Sequence, residues 1–331
     1  MKINTDSIRK IIHTEYGFPI LSIEPLNLGY DANTMVFKIL SSGQQAYFLK
    51  IRSKYFSVSC NILFWLSQNA GLTNIINPIE TLDKKLYVKT PSAYFMVYPY
   101  INGKSGLDLA LTKDQFIEFG RFLKKLHSEK IPNRYFETIP ADNCGDQYIE
   151  MTKNIGMIKK YLKSHKKILR EDNIILDFFA ALETYQNKIS EIISYLENTV
   201  NEISCKNLCV CHGDIHAGNL LIDKNNFYVV DWDTMILAPK EKDLMYIGGG
   251  IGSKWTKDAD IENFYKGYGR EDEVNKNLLK YYRCKRIIRD IYYFTGKITD
   301  IKYENEKRSD CLIMFKNLFE PGNAAEMALK A

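Results

Sequence analysis

The chain has no apolar run near the ~20 residues that a membrane-spanning helix requires, so no membrane partner is expected. It has no dense basic run interleaved with aromatics. Its formal net charge is only +5 on 38.4 kDa, so nucleic acid is not an expected partner. Its first eighteen residues mix charged and apolar side chains and do not read as a signal peptide. Its seven cysteines are scattered and odd in number, which argues against a disulfide framework and for a reducing, cytoplasmic setting. Cys205, Cys209, Cys211 and His212 stand close together, but no second Cys/His pair sits at zinc spacing, so buried thiols are expected there. There is no internal repeat and no low-complexity segment. At 331 residues and 45% hydrophobic, the chain is long enough for two separate cores, and a monomer is expected.

The informative stretch runs from Leu208 to Asp233. Leu208-Cys209-Val210-Cys211 reads as a short buried strand. It delivers the polar loop His212-Gly213-Asp214-Ile215-His216-Ala217-Gly218-Asn219. Leu220-Leu221-Ile222 and Phe227-Tyr228-Val229-Val230 then read as two strands joined by the turn Asp223 to Asn226, ending in Asp231-Trp232-Asp233. That arrangement brings Asp214, Asn219 and Asp231 towards one small volume. Their oxygen donors suit Mg²⁺, which takes few protein ligands and completes its shell with water and phosphate.

His212-Gly213-Asp214 with Asn219, followed by Asp231-Trp232-Asp233, resembles the aminoglycoside phosphotransferase and choline kinase superfamily. Its Asp-to-Asn offset matches that of the protein-kinase catalytic loop. The resemblance implies an α+β, protein-kinase-like, two-lobe fold with ATP in the cleft. The N-terminal lobe, residues 1–98, carries a five-stranded antiparallel sheet. A hinge follows at 99–103, then a larger, mainly helical lobe at 104–331. It implies Asp214 as the base that accepts the substrate hydroxyl proton, Asn219 and Asp231 as magnesium ligands, and His212 as structural support. The same loop also resembles a metallophosphoesterase. That fold needs an Asp-x-His upstream and a Gly-Asn-His motif, and the sequence has neither.

In chain order, residues 6–16 read as a helix capped by Asp6 and ended by Gly17. Three strands follow, near 22–26, 35–40 and 45–51. The resemblance places the ATP phosphates under the first turn, at Gly29, Asn33 and Thr34. This turn has one glycine where protein kinases have three, so backbone N–H groups or the Asn33 and Thr34 side chains must do the cradling. Lys50 ends the third strand and takes the place of the phosphate-binding lysine. Its usual glutamate partner is missing from the helix expected near 58–69, which leaves Asn61, Asp231 or phosphate to hold it. Strands at 87–89 and 94–98 lead to the hinge. There the resemblance assigns adenine contacts to the Pro99 carbonyl, since proline has no N–H, and to the Ile101 N–H.

Thr112-x-x-Gln115 is a capping box opening a helix that ends at Leu126-His127, with His127 expected to pack beneath the site. A long amphipathic helix is expected over 177–200, and a further helix from about Asn275 to Phe294. By resemblance, Asp243 braces the catalytic loop through hydrogen bonds. The glycine-rich run Ile247 to Gly252 does not follow a strand in a βαβ unit, so it is no dinucleotide fingerprint. It reads as a flexible loop near the acceptor. Asp233, Trp255 and Tyr268 are the acceptor-binding candidates.

The superfamily phosphorylates aminoglycosides, choline, homoserine, methylthioribose and other acceptors. In length and sequence the chain resembles the branch that modifies the 9-hydroxyl of spectinomycin, which implies an aminocyclitol antibiotic as acceptor and resistance as the outcome. Acids at Asp214, Asp233, Asp258, Asp260, Glu262 and 271–273 are positioned in the sequence to attract such a dication. The alternatives are a small-metabolite kinase on the same fold and a nucleotide-binding pseudokinase.

Overall fold

The computed structural model describes residues 3–26, 33–53, 57–142, 144–164, 172–224, 226–251, 254–269 and 271–330. They fall into two compact units. One comprises residues 1–109, 130–139 and 219–234; the other comprises 110–129, 140–218 and 235–331.

The first unit opens with α1 (Thr5–Tyr16). Asn4, not Asp6, caps it: its side chain accepts from the Ser7 N–H at 2.8 Å. Asp6 lies inside the first turn, where its charge favours the positive end of the helix dipole. Gly17 ends the helix with φ +78°, a conformation open to a residue without a Cβ. Strands β1 (Ile20–Pro25), β2 (Thr34–Ser41), β3 (Ala46–Arg52), β4 (Val88–Lys89) and β5 (Tyr94–Pro99) form an antiparallel sheet in the order β1-β2-β3-β5-β4. The apolar face of α1 (Ile8, Ile12) packs on Ile39, Leu49, Ile51, Phe95 and Val97. Period-two alternation sends Leu49 and Ile51 into that core and leaves Lys50 on the opposite face. Helix α2 (Ser57–Asn69) follows β3.

A second, three-stranded sheet in this unit joins β6 (Lys104–Ser105), β8 (Leu220–Asp223) and β9 (Asn226–Val229). The β8–β9 hairpin is the one read from the sequence. Its attachment is not: the Val229 N–H donates to Asn74 O, and the Asn74 side chain donates to Phe227 O, both close to 2.9 Å. Short α4 (Asn133–Phe136) also belongs to this unit.

The second unit is mainly helical. Its helices are α3 (Lys113–Ser128), α5 (Cys144–Ser164), α6 (Asn173–Thr199), α7 (Glu241–Leu244), α8 (Asp258–Tyr268), α9 (Lys276–Thr299), α10 (Asn305–Asn317) and α11 (Ala324–Lys330). The expected capping box opens α3: Gln115 N–H donates to Thr112 Oγ1, and Thr112 N–H donates to Gln115 Oε1. Helices α3 and α8 touch backbone to backbone. A Cβ on Gly267 would sit 1.8 Å from Ile117 O, and one on Gly120 2.1 Å from Phe264 O. Helix α9 is the axis of this unit, with α5, α6, α7, α10 and α11 packed around it. A two-stranded ladder pairs β7 (Cys209–Cys211) with β10 (Ile236–Ala238).

Cys60, Cys209, Cys211, Cys284 and Cys311 are free thiols. Cys205 is disulfide-bonded, which departs from the expectation of uniformly reduced cysteines.

Candidate active site

The first unit assembles Lys50, Arg52, Asn219, Asp231 and Asp233. Lys50 Nζ lies 2.8 Å from Asp233 Oδ2 and 3.3 Å from Asp231 Oδ1. The Arg52 guanidinium donates to the same Asp233 oxygen. Of the partners the sequence left open for Lys50, Asp231 is therefore present and Asn61 is exposed to solvent. Asp233 supplies the charge that the acid-free helix α2 lacks. This is a correction: the sequence offered Asp233 as an acceptor contact, and its carboxylate is taken up by Lys50 and Arg52. A residue two beyond a recognised motif aspartate was the available signal.

Asp231 sits in the left-handed region at φ +61°. That is uncommon for a residue with a Cβ and marks backbone held in place by its surroundings. The neighbouring Trp232 is buried and donates to Val229 O at 2.9 Å, which fixes the turn. The Asp231 side chain stays 56% exposed, so carboxylate oxygen remains open to a ligand. Asn219 joins the same hairpin, accepting on its backbone oxygen from the Val230 N–H at 3.0 Å. A neutral amide oxygen and an open carboxylate fit a hard divalent cation such as Mg²⁺. Thr34 pairs with Arg52 at the start of β2, and Asn33 Oδ1 accepts from Ser53 Oγ at 3.3 Å. Gly29 lies outside the described residues. Pro99 ends β5 opposite Tyr47, and Ile101 follows two residues later, half-buried.

The second unit holds Asp214. Gly213 turns the chain at φ +85°, and the loop is tied within itself. Asp214 N–H donates to His212 Nδ1 at 3.3 Å, His216 N–H to Asp214 O at 3.0 Å, and Gly218 N–H to His216 Nδ1 at 3.0 Å. Asp243, fully buried in α7, accepts from the His212 and Gly213 N–H groups, each at 2.8 Å. His127 from α3 reaches the same carboxylate through Nε2 at 3.1 Å, and its Nδ1 lies 2.9 Å from the Tyr268 hydroxyl. Burial would raise the Asp243 carboxyl, but the His127 hydrogen bond and charge outweigh it and hold it low. Burial pulls His127 down, but the Asp243 hydrogen bond together with the charges of Cys209, Asp243 and Glu241 outweighs it, so its value is raised.

The Asp214 side chain has partners that the sequence did not reveal. The buried Tyr246 hydroxyl donates to Oδ1, and Arg289 Nη2 from α9 lies 3.7 Å from the same oxygen. His216 Nε2 lies 3.7 Å from Oδ2. Burial alone would raise the carboxyl. His216, Arg289, the Tyr246 hydroxyl and His212 together outweigh it and hold Asp214 below the usual carboxylate range. The ring of Tyr246 is in turn stacked by Arg286, 4.7 Å from its centroid. Tyr246, Arg286 and Arg289 belong to no motif; Arg289 lies 75 positions beyond Asp214, so only the fold brings it there.

Two other expectations change. Trp255 and Tyr268 are each 5% exposed. Trp255 packs against Phe116 and Phe119, and Tyr268 stacks on Phe264, so both are core side chains where acceptor contacts were expected. The described part of the glycine run is buried, not a flexible loop. Arg283 donates to Met245 O and Ile247 O, Arg286 to Gly249 O, and Gly248 N–H to Trp255 O. A Cβ on Gly249 would meet Arg283 Nε at 2.5 Å, so close arginine packing explains the glycine. Gly252 lies outside the described residues. His127, Cys209 and Cys211 bring ligand atoms within 4.8 Å of one another. However, His127 is engaged at both nitrogens and both thiols donate to Ala238 O, so the cluster is satisfied as it stands.

Comparison with known proteins supports one family. The chain is similar to a spectinomycin phosphotransferase solved with ADP and spectinomycin, at 28% identity over 99% of this chain and 98% of that one, with a TM-score of 0.90. The AMP-bound form of a spectinomycin phosphotransferase matches at 27% identity, 99% coverage of both chains and a TM-score of 0.85. An amicoumacin kinase shares the fold at 14% identity, covering 99% of this chain and 98% of that one, with a TM-score of 0.62. The APH phosphotransferase enzyme family matches residues 23–282, and the chain belongs to that family.

Proposed function

We propose that this phosphotransferase moves the γ-phosphoryl group of ATP to a hydroxyl of an aminocyclitol antibiotic, the 9-hydroxyl of spectinomycin, and thereby confers resistance. One observation carries the choice of acceptor: likeness over almost the whole chain to an enzyme solved with ADP and spectinomycin. We further propose a cytoplasmic monomer; among the described residues, no helix is long and apolar enough to cross a membrane.

In this reading the acceptor oxygen forms the new bond to phosphorus as the bond to ADP breaks, and the hydroxyl proton goes to Asp214. The low-lying Asp214 carboxyl is ionised at neutral pH and open to a proton from a hydroxyl within hydrogen-bond reach. The Tyr246 hydroxyl donates to Oδ1 and so helps to orient the carboxylate towards the acceptor hydroxyl. Lys50, oriented by Asp233, contacts the α- and β-phosphates. We assign Asn33, Thr34 and Gly29 to the phosphates, and Pro99 and Ile101 to the adenine edge, as the resemblance implies. Asn219 and Asp231 would hold Mg²⁺, which supplies charge neutralisation to the phosphates. The test is ADP release from Mg·ATP with spectinomycin, 4,6-linked aminoglycosides, choline, homoserine and methylthioribose. Turnover with spectinomycin and none with the others is expected. Turnover with choline or homoserine and none with spectinomycin would move the chain to another branch.

A further inference from the structure

The acids expected to draw a cationic acceptor are not the charges around Asp214. Asp233 pairs with Lys50 and Arg52. Asp258, Asp260 and Glu262 lie on α8, the helix that packs against α3. The charges that approach Asp214 within the helical unit are mostly positive: His216 and His212 of its own loop, Arg289 of α9 and Lys242 of α7. Tyr282, Lys285, Arg286 and Arg289 are spaced i, i+3, i+4, i+7 and therefore share one face of α9. At one end of this face the Tyr282 hydroxyl donates to Asp142 at 2.9 Å. At the other, Arg289 approaches Asp214. Lys242 of α7 lies over the Tyr282 ring, 5.5 Å from its centroid, beside the same face.

Beyond the contact of Arg289 with the Tyr246 hydroxyl, Arg289 and Lys242 have donors to spare. The Arg289 side chain is 45% exposed, and its carboxylate contacts, Asp214 and Asp290, are both at 3.7 Å. A charge-assisted hydrogen bond from nitrogen to oxygen is shorter, about 2.7–2.9 Å. Among the described residues, the half-buried Lys242 ammonium forms no ion pair; its contact is the ring face. The cations also disfavour one another. Burial, then the charge of Arg289, lowers Lys242. Burial, then the charge of Lys242, lowers Lys285 to about 7, with Arg289 acting in the same direction and Asp142 and Glu150 opposing. A row of like charges of this kind is stabilised by an arriving anion.

We propose that Arg289, with Lys242 and Lys285 behind it, forms an oxyanion-binding row that holds the phosphoryl group once it is attached to the acceptor oxygen. This rests on the reading of Asp214 as the base. An acceptor oxygen hydrogen-bonded to Asp214 carries its new phosphorus one bond away, within a few ångströms of the Arg289 guanidinium. Without a cation there, the product dianion would face the Asp214 carboxylate once Asp214 has released the proton it took. A planar guanidinium with free N–H groups suits a phosphate by its two-pronged geometry.

The test is calorimetric titration of the full chain with inorganic phosphate at saturating ADP, which keeps the probe from the nucleotide's own phosphate contacts. Arg289→Met should weaken phosphate binding about 10–100-fold, the usual effect of losing a charged hydrogen bond, and Arg289→Lys should recover part of it. Lys242→Met should weaken it less. Asp214→Asn should bind phosphate at least as tightly as the wild type while losing turnover. With sulfate, which does not titrate near neutrality, affinity should fall as pH rises through about 7 in the wild type, because Lys285 loses its charge, and less so in Lys285→Met. Circular dichroism of each variant establishes folding. Wild-type phosphate affinity in a folded Arg289→Met, or no phosphate binding by the wild type, overturns the proposal. Anion binding that depends on Arg289 in a protein that phosphorylates no acceptor would instead leave the row standing and remove the assigned function.

Discussion

Replacing Asp243 by Ala should damage both stability and turnover without touching a substrate. The carboxylate is fully buried and accepts three hydrogen bonds, from the His212 and Gly213 N–H groups and from His127. Alanine leaves two buried N–H groups and one buried imidazole without an acceptor. Breaking a buried pair by removing one partner costs about 3–5 kcal/mol. The orphaned N–H groups overlap with that figure and do not add to it in full. Taking about 4 kcal/mol, and roughly 2.1 cal/mol/K of unfolding entropy for each residue, Tm should fall by on the order of 6 °C. Asp243→Asn keeps one acceptor oxygen and presents an NH₂ group where an acceptor was, so it should lose about half as much. Turnover should fall by about 10²-fold in Asp243→Ala, because a misplaced loop misdirects Asp214. Differential scanning calorimetry at pH 7 and initial rates of ADP release measure the two effects. A Tm within 1–2 °C of the wild type, together with near-normal turnover, would refute the bracing role; that margin is roughly the shift from a 1 kcal/mol change.

The remaining expectations concern the nucleotide residues and the same brace. Asp231→Ala should abolish magnesium-dependent turnover, and Asn219→Ala should be milder because water replaces one neutral ligand; a magnesium titration of each variant separates them. Lys50→Ala should raise the KM for ATP and lower kcat with little change in the acceptor KM, and unchanged ATP kinetics would leave its contacts with Asp231 and Asp233 without a functional meaning. The folded-state value of His127 is raised, so its contribution to stability is complete below about 6.5, the unfolded value, and is lost as pH rises through the folded value. Wild-type Tm should therefore decline just above pH 6.5, and His127→Gln should remove that decline.

The strands and the 212–219 loop were legible because their signals are local. Lys50 was legible from its place on the strand after a hairpin and before a helix, and the Thr112 and Gln115 side chains announced the start of α3. Asp243 was named by resemblance, and in the structure its carboxylate accepts from the His212 and Gly213 N–H groups. What the sequence hid depends on distant pairing. Nothing near Asn74 or Lys104 signals that both join the 220–229 hairpin. The role of Asp233 is hidden because its partners lie more than 180 positions away and no acid stands in α2 to draw attention to the gap. Trp255 and Tyr268 show the opposite limit: aromatic residues in a polar segment look like a pocket wall until their burial is known. The cysteine count gave no access to the state of Cys205.

The central claim is that Asp214 accepts the proton of an aminocyclitol hydroxyl. Its most direct test is ³¹P NMR of the product formed from Mg·ATP and spectinomycin by the wild type and by Asp214→Asn, with ATP affinity measured in parallel. The account predicts a new phosphate-monoester signal with the wild type, a rate about 10²–10⁴-fold lower with Asp214→Asn, and ATP affinity nearly unchanged. A full rate of monoester formation with folded Asp214→Asn would contradict it.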